Sequence, residues 1–128
     1  MNQELLRGNR KHTYFAVITR EGMEKLKADD ILYFESEGRK VHVHTKERRI
    51  SFNGCMEEIR AKLDGRFFNC HGSYEINLTK VIRFNGSLIE MEGGKVLPVS
   101  QRRSAELRRS YQAYLRKHFP CNLGDDIV

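Results

Sequence analysis

No apolar run in this 128-residue chain approaches the roughly 20 residues that a membrane-spanning helix requires. The opening Met-Asn-Gln-Glu-Leu-Leu-Arg lacks the apolar core of a secretory leader. Cysteine is scarce and odd in number. Cys55, Cys70 and Cys121 are irregularly spaced, whereas an oxidised scaffold uses an even set, so reduced thiols are expected. These absences predict a cytoplasmic protein with no membrane partner. A Gly-rich phosphate loop of the Walker or dinucleotide kind is also missing, because Gly93-Gly94 reads as a hairpin turn. No internal repeat, low-complexity tract or inter-domain linker interrupts the chain. What remains is one soluble domain, 39% hydrophobic and 31% charged, long enough to bury a core without disulfides.

Charge placement says more than the net value of +6. Residues 100–119 hold Arg102, Arg103, Arg108, Arg109, Arg116 and Lys117 against the single acid Glu106. The remainder of the chain is nearly balanced. A basic segment of this kind is the footprint of a polyanion binder, or else a solvated helix face.

Most of the chain reads as short strands. Residues 14–19, 31–34, 49–52, 73–78, 81–84, 88–91 and 96–99 are β-branched or alternating runs. Within 41–45 the valines alternate with His42 and His44, which predicts a half-buried strand with its histidines towards solvent. Glu37-Gly38, Lys46-Glu47, Asn85-Gly86 and Gly93-Gly94 supply turns, and Asn-Gly between strands predicts two positive φ angles. Connections this short force antiparallel neighbours, hence a meander. Two helices are expected. Residues 54–63 place Met56, Ile59 and Leu63 at helical spacing, and residues 104–117 place Leu107, Tyr111, Tyr114 and Leu115 on one stripe. Residues 23–28 are ambiguous by period, and a third helix is the preferred reading of the residues alone.

Enzymatic chemistry finds little support. His42 and His44 share a strand face but lack a third ligand, so no metal is expected. Cys70-His71 invites a nucleophile and base, yet adjacent strand residues point to opposite faces, and no further acid completes a triad. Tyr33, Phe34, Phe67, Phe68 and Tyr74 read as core and not as an RNA-stacking surface. No cofactor is expected.

One run carries a stronger signal. Arg66-Phe67-Phe68-Asn69-Cys70-His71-Gly72-Ser73-Tyr74-Glu75-Ile76-Asn77 resembles the "F-x-x-x-H-x-S-(Y/F)-x-(V/I)-N" hallmark of the LytTR family of bacterial DNA-binding domains. Asp30-Ile31-Leu32-Tyr33-Phe34-Glu35-Ser36 is similar to the family's "D-I-L-Y-(I/F)-E-(S/A)" strand. Leu97-Pro98-Val99-Ser100-Gln101-Arg102-Arg103 is similar to its closing "L-P-V-S-R-R" segment. The three occur in the family's order, across roughly residues 13–107.

This resemblance implies a mainly β fold, with short antiparallel sheets in an elongated sandwich, one short internal helix and a basic C-terminal helix. It also implies a strand over residues 23–28. The domain would span residues 13–119, after a polar N-terminal segment or linker remnant (1–12) and before a flexible tail (120–128). The implied function is sequence-specific double-stranded DNA binding by a transcriptional regulator, with two copies on direct repeats. The implied DNA-binding residues lie on three loops: Arg39 and Lys40, Gly72 and Ser73, and Ser100, Gln101, Arg102 and Arg103. Gly72 stands where family members carry an Arg or Asn that touches DNA. Gln101 stands where most carry Arg, and Gln pairs with adenine where Arg pairs with guanine. A phosphorylated receiver domain, answering to a sensor kinase in a two-component system, commonly precedes such domains. This chain has no room for one, so it is either a single-domain regulator or an output half. The alternative is a protein-interaction module that docks through a sheet edge or the amphipathic C-terminal helix.

Overall fold

The computed structural model of the protein describes residues 14–122. The expected linker over 1–12, and the part of the expected tail from 123 onward, lie outside the described residues. Among the described residues ten strands form three antiparallel sheets. Strands β1 (Tyr14–Thr19) and β2 (Gly22–Lys27) make a hairpin. The central sheet has the order β5-β4-β3-β7-β6, built from β3 (Ile31–Glu37), β4 (Lys40–Thr45), β5 (Arg49–Asn53), β6 (Phe67–His71) and β7 (Tyr74–Asn77). The third sheet is a meander of β8 (Val81–Phe84), β9 (Leu88–Met91) and β10 (Val96–Pro98). Helix α1 (Met56–Arg60) lies between β5 and β6, and α2 (Gln101–His118) closes the domain.

Both faces of the central sheet are covered, which explains why β3 opens with four consecutive buried residues instead of alternating. On one face Ile31, Phe34, Val41 and Val43 pack with Val17 and Leu26 of the hairpin and with Met56 and Ile59 of α1. On the other, Leu32, Tyr33, Phe68, Cys70 and Ile76 meet Ile89, Met91 and Leu97 of the third sheet and Leu107 and Tyr111 of α2. The arrangement is a meander only in part. The β6–β7 hairpin pairs through β7 with the free edge of β3, so the signature run completes the central sheet, with β6 as its outer strand.

Three sequence expectations are corrected. Residues 23–28 form strand β2 followed by a 3-10 turn, not a helix. Met-Glu-Lys-Leu-Lys has helical propensity, but pairing of Ile18 with Met23 and Phe15 with Leu26 overrides it. Helix α1 is shorter than residues 54–63, because Lys62 and Leu63 donate to carbonyls three residues back and tighten its end into a 3-10 turn. At Asn85-Gly86 only Gly86 has positive φ, at 102°. The Asn85 side chain accepts from the backbone N–H groups of Ser87 and Leu88, an Asx turn in a longer connection.

Candidate nucleic-acid interface

The strands fix where the three predicted loops lie. β3 runs antiparallel to both β4 and β7, so the β3–β4 turn at Gly38-Arg39 and the β6–β7 turn at Gly72-Ser73 share one end of the sheet. Gly38 takes φ of 60° in a two-residue connection, a conformation that costs glycine nothing. Ser36 N–H donates to the Ser73 carbonyl at 2.9 Å and ties the two turns together. On the other side Ser100 N–H donates to the Cys70 carbonyl at 2.8 Å, and Arg103 Nε donates to the Asn69 carbonyl at 2.9 Å. The start of α2 is thus stapled to the same hairpin, and all three segments form one continuous end face.

Arg39, Lys40, Gly72, Gln101 and Arg102 are exposed, while Ser73, Ser100 and Arg103 are half-buried. The segment Ser100-Gln101-Arg102-Arg103 was expected to be a loop ahead of a helix over 104–117. It is instead the cap and first turn of α2, whose N-cap is Ser100. Ser100 makes no side-chain cap bond, and its Oγ is enclosed without a partner among the described residues. Arg103 is committed internally: beyond its bond to Asn69 it donates to Glu106 Oε1 at 2.8 Å and lies 4.9 Å over the Phe68 ring. Gly72 faces open space, so a larger side chain would fit there.

The signature residues between these readers are architectural. His71 Nδ1 accepts from the Ser73 N–H at 3.1 Å, which places its proton on Nε2. Asn69 Nδ2 donates to the carbonyls of His71 and Tyr74 and clamps the turn across a bulge at Cys70. Asn77, fully buried, donates to the Ile31 carbonyl at 2.9 Å and accepts from Thr79 N–H and Oγ1–H. Cys70 is sealed in the core, where burial pushes its thiol up to about 12, so it stays protonated at neutral pH. It sits in the core with Sγ 3.7 Å from the Pro98 carbonyl, while the His71 ring serves the turn.

The histidines of β4 differ from expectation too. His42 is buried, with Nε2 at 2.8 Å from Glu37 Oε1 and Nδ1 at 2.6 Å from Ser51 Oγ. His44 stacks on Tyr33 at 4.2 Å and bonds Glu35 at 2.8 Å. Carboxylates on β3 satisfy the imidazoles, which lets that face close over. Burial draws the His44 pKa down despite its bond to Glu35. These pairings, and the internal role of Arg103, have no local sequence signal, because each joins residues across strands or elements.

The profile of the LytTr DNA-binding domain family matches residues 21–112. The chain belongs to the LytTr DNA-binding domain family. Its function is therefore DNA binding. Accessory gene regulator protein A of Staphylococcus epidermidis is 45% identical over 51 residues, which cover 38% of this chain and 21% of that protein. The Staphylococcus aureus protein of the same name is 41% identical over the same shares. The match thus spans about a fifth of the length of these relatives. A LytTr DNA-binding domain from a Bacillus cereus protein described as a methyl-accepting/DNA response regulator superposes with a TM-score of 0.61. It has 23% identity and covers 83% of this chain and 95% of that one. That likeness establishes the LytTr fold: mainly β, with several short antiparallel sheets and few helices. No helix among the described residues is long and apolar enough to cross a membrane.

Proposed function

We propose that this LytTr domain reads promoter DNA through its end face, as the output module of a cytoplasmic bacterial regulator, and performs no catalysis. Two copies engage direct repeats, and a receiver domain and its sensor kinase supply the signal in a longer protein. The observation that carries this reading is the hydrogen-bonded chain Ser36–Ser73, Cys70–Ser100 and Asn69–Arg103. It holds three polar segments on rigid elements, so base-reading groups are presented with little entropy left to lose.

The roles divide by exposure. Arg39 and Gln101 read bases, Lys40 and Arg102 contact phosphates, and Gly72 offers its backbone N–H to the DNA backbone. Arg103 holds the β6–β7 hairpin in place and contributes no phosphate contact. On α2, Arg108, Arg109 and Arg116 have no carboxylate partner among the described residues and add long-range attraction.

Duplex binding measured against salt tests this directly. Wild type is expected to lose affinity linearly in log–log form, with slope set by the phosphates neutralised. Arg102→Ala is expected to flatten that slope by about 1 and to weaken all sequences alike. An unchanged slope in a folded variant places Arg102 away from DNA. Salt-insensitive capture of a protein partner, with no duplex binding, overturns the whole reading.

Gln101 tests specificity. Its amide presents one donor and one acceptor, which match adenine N6 and N7, whereas Arg presents two donors and matches guanine O6 and N7. Gln101→Arg is expected to move one position of each half-site from adenine to guanine by about tenfold. Selection from random duplexes reads this out, and an unaltered motif removes Gln101 from the base-reading set.

A further inference from the structure

We propose that Glu37 is a specificity residue of the β3–β4 turn, aimed by the buried His42 and selecting cytosine through the base's exocyclic amine. The inference rests on the end-face reading above. Glu37 is the last residue of β3, directly before Gly38-Arg39, and its side chain is 75% exposed. A free glutamate there would swing away from a polyanion. This one is held. His42, 5% exposed in its side chain, donates from Nε2 to Glu37 Oε1 at 2.8 Å, and its Nδ1 is hydrogen-bonded with Ser51 Oγ at 2.6 Å. With both ring nitrogens satisfied the imidazole has one orientation, and the relay from β5 through β4 ends on a single exposed carboxylate.

The chemistry of that carboxylate sets its ligand. The bond from His42 holds Glu37 below the ordinary carboxylate value, and Lys40 and Arg49 add to the effect, so it is an anion at neutral pH. An ionised carboxylate accepts and never donates. Phosphates, guanine O6 and N7 and thymine O4 are acceptors and are rejected. Cytosine N4–H offers only a donor at its major-groove edge, whereas adenine sets its N7 acceptor beside the amine. Glu37 Oε1 is occupied by His42, which leaves Oε2 for the base. The carboxylate therefore costs some general affinity next to Arg39 and Lys40, and gives in return discrimination at one base pair.

The test is binding-site selection run in parallel on wild type, Glu37→Gln, Ser51→Ala, His42→Gln and Arg39→Ala, each first shown to be folded by its melting curve. Glu37→Gln is expected to bind every duplex more tightly, to lose about tenfold preference for cytosine at one position, and to admit adenine there. Ser51→Ala is expected to relax that same position in part. It leaves Glu37 and the backbone intact, so it answers even where His42→Gln does not fold. Arg39→Ala is expected to relax a different position. If Arg39→Ala alters the motif while Glu37→Gln returns the wild-type motif, the role of Glu37 is overturned and the end-face reading stands. If neither alters it, the turn does not read bases and both fail. If Glu37→Gln alters the cytosine position but Ser51→Ala and a folded His42→Gln do not, the aiming role of His42 is overturned.

Discussion

Phe34→Ala is expected to destabilise the domain by about 3–5 kcal/mol, the cost of emptying a sealed aromatic site. Phe34 is fully buried on the central strand β3, with Phe15 at 5.1 Å and Phe67 at 5.6 Å, both edge-on. It joins the hairpin, the central sheet and the start of the signature run, so no single element can move in to fill the void. A domain of this size holds roughly 5–15 kcal/mol in total, and a fall in melting temperature of roughly 15 °C is expected. Ile18→Ala is the matched control, because Ile18 is 74% exposed and its truncation should leave the melting temperature almost unmoved. A Phe34→Ala protein that melts like wild type shows that the core does not pass through β3.

How much of this was legible in the sequence follows from the range of each signal. The strands 81–84 and 88–91 were readable because pattern and turn chemistry lie within ten residues of each other. The signature run was readable as a family hallmark, and its structural content explains why it stays recognisable. His71, Tyr74, Ile76 and Asn77 each satisfy or fill something inside the fold, so their identities are set by architecture. The residues proposed to read DNA are the ones the fold leaves free, Gly72 and Gln101 among them, and no periodicity marks them.

What could not be read is what sheet pairing decides. Residues 23–28 are ambiguous by period, and pairing with the partner strand is what makes them β. The valines of β4 forecast its inner face correctly. Nothing local shows that His42 would be enclosed, because its partners Glu37 and Ser51 come from the two neighbouring strands. The first turn of α2 was hidden similarly. Ser100 is a good N-cap by type, but the helix is set at Gln101 by stapling to Cys70 and Asn69, thirty residues earlier.

Arg60→Met is expected to be the other severe substitution, and its pH dependence identifies the cause. Glu75, inside the signature run, is buried with a side chain only 7% exposed, and Arg60 of α1 donates to its Oε1 at 2.7 Å. Burial raises the Glu75 pKa above its ordinary 4.5, against the pull of Arg60. Removing Arg60 leaves a desolvated anion beneath the β6–β7 hairpin. Such a loss costs about 3–5 kcal/mol when both partners are fully buried, and the low end applies because Arg60 keeps 29% exposure. The folded state of the variant then binds the Glu75 proton more tightly than the unfolded chain does. Wild type shares part of this behaviour because its own Glu75 pKa is already raised. The deficit of the variant relative to wild type therefore shrinks as pH falls through the window between the variant's further raised pKa and the wild-type one, and it is full only above that window. Adding Glu75→Gln to Arg60→Met should restore most of the loss at neutral pH, since the amide carries no charge to strand. Urea denaturation at several pH values measures both effects. A deficit that is independent of pH, or unrelieved by Glu75→Gln, means that Arg60 acts through packing on α1 and not through the buried carboxylate. The same variant should loosen the Gly72-Ser73 turn, seen as faster amide exchange in β6 and β7, and so weaken binding to duplex DNA without changing its base preference.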